Sequence, residues 1–75
     1  MKVYAAINQR NQVVKQSNLF NLTAYCRESS ERLSIAVFRP NDSHGRIVAS
    51  FDAGAQEKAN VGMKVSADVL GRFDG

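Results

Sequence analysis

Apolar and polar residues alternate with a period of two along most of this chain. Near the N-terminus Val3, Ala5 and Ile7 fall on one side of an extended segment, and Lys2, Tyr4, Ala6 and Asn8 on the other. The turn-forming run NQRNQ, residues 8–12, separates that segment from VVK, so the two read as a first hairpin. In FNLTAYCR, Phe20, Leu22, Ala24 and Cys26 share one face and Asn21, Thr23, Tyr25 and Arg27 the other, which is the pattern of a half-buried strand. A helix over residues 18–29 competes, because Leu19, Leu22 and Cys26 also fit helical spacing. It would set Asn21 and Thr23 in mid-helix, where their side chains compete for backbone groups, and the strand is the favoured reading.

After the polar break ESSER, residues 28–32, the segments LSIAVFR and RIVASFD flank RPNDSHGR, residues 39–46, with the chain's only proline and only histidine. Setting Arg39 opposite Arg46 brings Phe38 to Ile47, Ala36 to Ala49 and Ser34 to Phe51, a predominantly apolar face of an antiparallel hairpin. Pro40 cannot donate to a ladder, and Asn41, Asp42, Ser43 and Gly45 supply turn conformations, so the octet reads as a turn. AGAQEKAN, residues 53–60, holds enough helix formers for about two turns. Val61, Met63, Val65, Ala67 and Val69 then alternate with polar neighbours as a last strand, broken at Gly71. Phe20, Phe38 and Phe51 are assigned to the core. Short, closely spaced strands without a long crossover helix predict a mostly β domain, a small five- to six-stranded barrel with one short helix. The alternative is an α+β sandwich with a helix at about 18–29.

The 75 residues make a single domain, 1–75, and a chain this short is only marginally stable alone. Small domains often compensate with disulfides, metals or a partner subunit. With one cysteine, Cys26, and one histidine, His44, there is neither an intrachain disulfide nor a Cys/His zinc set, which leaves self-association as a homodimer. No metal or other cofactor is expected. Cys26 lies on the apolar side of its segment and reads as a small buried hydrophobe. His44 sits in a turn without a second acid or base. With no Gly-rich phosphate loop and no nucleophile–base pair, the chain does not read as an enzyme. No signal-peptide core, transmembrane run or lipidation motif is visible, so the expected setting is cytoplasmic, with no membrane partner.

Charge changes the picture more. Net charge is +3, but Lys2, Arg10, Lys15 and Arg27 all precede the first acid, Glu28, so the first 27 residues carry +4 and the remainder six bases against seven acids. A basic region biases a surface toward nucleic acid or another polyanion.

The stretch RIVASFDAGAQEKANVGMKVSADVLGRF, residues 46–73, reads as strand, short helix, small-residue pair, alternating strand and Gly-Arg. It resembles the corresponding part of OB-fold single-stranded-DNA-binding proteins, where a strand leads through a short helix to a Gly-x-x-Val-x-x-x-Gly-like strand. The matching positions are Gly62, Val65 and, offset by several residues, Gly71-Arg72. The resemblance implies an OB-like barrel that binds single-stranded DNA or RNA along an open face.

Such binding needs a basic groove that tracks phosphates and aromatic faces on which bases stack. The candidates are Tyr4, alternating with Lys2; Tyr25 and Arg27, together on the polar face of their segment; Arg10 and Lys15, bordering the first turn; and Arg39 and Arg46, bordering the second. A second hypothesis is a small protein-binding accessory factor, an inhibitor or adaptor of the kind carried by phages and plasmids. Val37 and Val48, opposite the core face, would seed its interface, or an edge strand would extend a partner's sheet.

Overall fold

A computed structural model describes residues 2–71 of the chain. Within them the elements are β1 (Val3–Ile7), β2 (Val13–Gln16), α1 (Leu19–Glu28), β3 (Leu33–Phe38), β4 (His44–Asp52), β5 (Ala55–Glu57), β6 (Lys64–Ser66) and a closing 3-10 helix (Ala67–Gly71). The domain is mostly β, as its alternation implies. All strand pairings are antiparallel, in the order β2-β1-β3-β4, with β5 and β6 side by side along the outer edge of β4. The sheet is open, with β2 as one edge and β5 and β6 as the other, and does not close into the expected barrel.

The first hairpin forms as the sequence implies. Asn8 organises its turn: Oδ1 accepts from the backbone N–H groups of Arg10 (2.9 Å) and Gln12 (3.0 Å), and Asn11 takes the left-handed conformation at φ 57°.

The segment read as a third strand is instead the helix α1. Asn18 caps it, with Oδ1 accepting from Asn21 N–H at 2.7 Å. The polar residues that argued against a helix are satisfied locally: Asn21 Nδ2 donates to Ser17 Oγ just before the cap, and Thr23 Oγ1 donates to the Leu19 carbonyl one turn back. The period-two set therefore splits. Leu22 and Cys26, four apart, are fully buried against the sheet, whereas Phe20 is 82% exposed and leaves the core to which the sequence assigned it. Phe38 and Phe51 are buried as expected.

Two further elements differ. Residues 53–60 form a tight turn, β5 and a second turn rather than a helix, because Ala53 (φ 52°) and Gly54 (φ 86°) both adopt left-handed conformations that join β4 to β5 through a two-residue hairpin loop. The last alternating run is a strand only over Lys64–Ser66, after which Ala67–Gly71 coils into the 3-10 helix. Arg72, paired with Gly71 in the resemblance, lies outside the described residues.

Both faces of the sheet are buried, which explains the incorrect β3–β4 register expected from sequence. The observed partners are Leu33↔Phe51, Ser34↔Ser50, Ile35↔Ala49, Ala36↔Ile47 and Val37↔Arg46, so Arg39 does not oppose Arg46. A bulge at Val48 lets β4 change the side on which its large residues fall. Phe51 joins Ala6, Leu22, Cys26, Leu33 and Ile35 beneath α1, while Ile47 packs on the other face with Ala5, Ile7, Ala36, Phe38 and Val69. One alternation rule cannot assign a strand that serves two cores.

Burial raises the Cys26 thiol from 9.0 to about 11, which keeps it protonated and inert at neutral pH. The unfolded thiol ionises first, so this group's contribution to stability is intact below pH 9 and is lost as pH rises toward 11. Labelling with a chromogenic disulfide at pH 8 is expected to follow global unfolding; rapid labelling of the native protein would contradict the burial.

Candidate nucleic-acid interface

The helix α1 does not cover all of its side of the sheet. It contacts β1 and β3, and its C-terminal end reaches the β4–β5 turn, where a Cβ on Gly54 would stand 2.5 Å from the Arg27 carbonyl oxygen. Its N-terminus follows β2, whose last residue, Gln16, pairs with Ala5. The helix therefore crosses the sheet obliquely and leaves bare the corner where β3, β4 and β6 run beyond it.

On that bare corner the register aligns one residue per strand: Tyr4 opposes Val37, Val37 opposes Arg46, and Arg46 opposes Lys64. Directly opposed residues share a face, and strands lie about 4.8 Å apart, so the row spans about 14 Å. Tyr4 and Val37 are half-buried; Arg46 and Lys64 are exposed. His44, two residues before Arg46 in β4, falls on the same face, and the exposed Lys2 and Arg39 flank the row just before β1 and just after β3. Arg46 Nη1 donates to the Gly62 carbonyl at 3.3 Å, which steadies the guanidinium at the centre of the patch.

Among the described residues the corner's cations are uncompensated, as Arg10, Lys15, Arg27 and Lys58 are elsewhere; what distinguishes the corner is that the register gathers several of them on one face. Among the described residues the ion pairs belong to Arg32, which reaches Asp52 at 3.5 Å and Glu57 at 3.4 Å on a different part of the sheet. The Glu57 oxygen facing Arg32 Nε is buried and accepts no hydrogen bond, so that charge pair is what compensates it. Lys2, Arg39, Arg46 and Lys64 have no carboxylate at ion-pair distance among the described residues, and their charge is available to an outside anion.

The seven residues singled out from sequence are thus sorted. Tyr4 and Arg46 come together in the row, whereas Arg39 follows the end of β3 and does not oppose Arg46. Lys15 and Tyr25 flank the row at the β2 side: Lys15 opposes Ala6, and its Nζ sits 5.3 Å from the centre of the Tyr25 ring. Arg10, in the β1–β2 turn, and Arg27, at the far end of α1, stand away from the patch. Sequence reasoning missed Lys64. The signal for it was its place in the alternating run after Gly62, which becomes meaningful only once β6 is paired with β4.

The opposite face is only partly covered, by the 3-10 helix, whose Val69 packs with Ala5, Ile7, Ala36 and Phe38. Beside it lies a cleft of about 580 Å³, floored by Ile7, Ser34 and Ile47 and walled by the β1–β2 turn and the loop before β6. No described group of three or more histidine, cysteine, aspartate or glutamate residues could hold a metal ion, and no described helix is long and apolar enough to cross a membrane. No protein-family model, curated protein or solved structure matches the chain.

Proposed function

We propose that this is a non-enzymatic nucleic-acid-binding module that holds single strands on the bare corner of its sheet. The observation that carries the reading is the cross-strand row Tyr4–Val37–Arg46–Lys64, backed by Lys2 and Arg39, with no carboxylate among its members. Guanidinium and ammonium groups bind the phosphates, and the half-buried Tyr4 ring with Val37 offers an apolar surface to a base. Lys15 over Tyr25 extends the cationic surface toward β2. The OB-like resemblance agrees in ligand, although the sheet that would carry it here is open.

The test is fluorescence anisotropy with a labelled single-stranded oligonucleotide at several salt concentrations. Four phosphate contacts predict a log–log salt slope of about −2 to −3, since each contributes about −0.7 on single strands. Absence of binding at low salt would remove the reading.

A second reading, a module that binds another protein or a second copy of itself, is favoured by Phe20, which stands 82% exposed on the outer face of α1. A single stoichiometric protein partner, lost on Phe20→Ser, would support it.

A further inference from the structure

We propose that the cleft on the opposite face is a second binding site, one that takes a single nucleobase. The inference deepens the nucleic-acid reading and rests on it. At about 580 Å³ the cleft has the size of a small-molecule pocket. Ile7, Ile47, Met63, Val65 and Val69 give it apolar patches suited to the flat face of a ring, within a lining that also includes the charged Arg32 and Asp68.

Its rim is what selects the ligand. Gln9 and Asn11 line one wall and Asn60 the other. A carboxamide offers one acceptor and one paired donor, the arrangement that reads the edge of a base in two parallel hydrogen bonds. The neighbouring Asn8 is a useful contrast: its carboxamide is consumed within the turn, accepting from Arg10 and Gln12 N–H and donating to Gln12 Oε1. The carboxamides of Gln9, Asn11 and Asn60 make no hydrogen bond to another described side chain or backbone group. Asn11 and Asn60 are both held in the left-handed conformation, at φ 57° and 67°, so each presents its side chain from a fixed turn.

The cleft also joins the bare corner physically. Lys64, which ends the row opposite Arg46, is also among the residues that line the cleft. A single strand laid along the row and passing over the free edge of β6 reaches the cleft with its next base unstacked, the form in which single-stranded bases are read.

Uncharged nucleosides test the cleft without engaging the phosphate-binding row. Titration of adenosine, guanosine, cytidine and thymidine at millimolar concentration into the 15N-labelled chain should give saturable amide shifts around Asn11, Asn60 and Val65 with at least one of the four. Ribose alone should not. The double variant Asn11→Gly/Asn60→Gly retains the left-handed backbone, because glycine adopts it freely, and should weaken that binding by about ten-fold or more without lowering the melting temperature. Failure of all four nucleosides to shift these residues, equal shifts with ribose, or undiminished binding by the double variant would overturn the proposal. Oligonucleotide binding that persists in any of those cases leaves the row standing and dismisses the cleft alone.

Discussion

Gly54→Ala is expected to destabilise the domain far more than Gly62→Ala, although both glycines sit at nearly the same left-handed φ, 86° and 91°. A Cβ in that conformation costs about 1–2 kcal/mol at either position. At Gly62 nothing lies within 4 Å of the added atom. At Gly54 it would stand 2.5 Å from the Arg27 carbonyl oxygen, a backbone atom in the last turn of α1 that cannot swing aside. Relief requires the β4–β5 turn and the helix to separate, which opens the core holding Phe51, Leu22 and Cys26. A total of about 3–4 kcal/mol follows, against about 1–2 for Gly62→Ala. In a domain of this size the difference is a melting temperature lower by roughly 10 °C or more. Ala53→Asn, one residue earlier, works in the opposite direction: asparagine tolerates the left-handed position that alanine occupies at φ 52°, and the variant gains up to about 1 kcal/mol. Thermal unfolding by circular dichroism of the three variants checks the set. Equal losses for the two glycine substitutions would mean that the turn and helix do not touch.

The second large effect concerns binding. Reversing Arg46 and Lys64 to glutamate places two negative charges at adjacent positions of the row, on strands about 4.8 Å apart, beside Tyr4 and Val37. Affinity for a single-stranded oligonucleotide is expected to fall by about a hundred-fold or more at low salt, with two attractive phosphate contacts removed and two repulsive ones introduced. Arg10→Glu/Arg27→Glu makes the same change in net charge away from the corner and should cost only a few-fold, through the general field. This pairing separates a located site from a merely basic protein. Comparable losses in the two double variants would show that net charge, not the row, governs binding. Arg46 also anchors to the Gly62 carbonyl, so the melting temperature of Arg46→Glu/Lys64→Glu should be followed alongside.

The sequence disclosed part of this arrangement for identifiable reasons. The first hairpin and the extended character of residues 33–38 and 44–52 were legible because alternation and turn residues agree there. Residues 19–28 misled because Leu22 and Cys26 satisfy both a period of two and a spacing of four, and the cap that decides between them is one side-chain contact, Asn18 to Asn21. The tight turn at Ala53-Gly54 was hidden because alanine is an unusual occupant of its first position. The candidate site was legible only in part. Alternation set Lys2 on the side of Tyr4, and it set Arg39 directly opposite Arg46, a pairing the observed register replaces with Val37↔Arg46. The bulge at Val48, the pairing of β6 and the oblique path of α1 determine which face stays bare, and all three are long-range features that no local window contains.

Amide shifts of the 15N-labelled protein on addition of a short oligothymidylate would show whether a single strand lies along the row. The largest shifts are expected at Tyr4, Val37, Arg46 and Lys64, from four strands distant in sequence, and should fade as salt is raised. Shifts confined to the outer face of α1 around Phe20 and Arg27, or their absence at low salt, would contradict binding along the row.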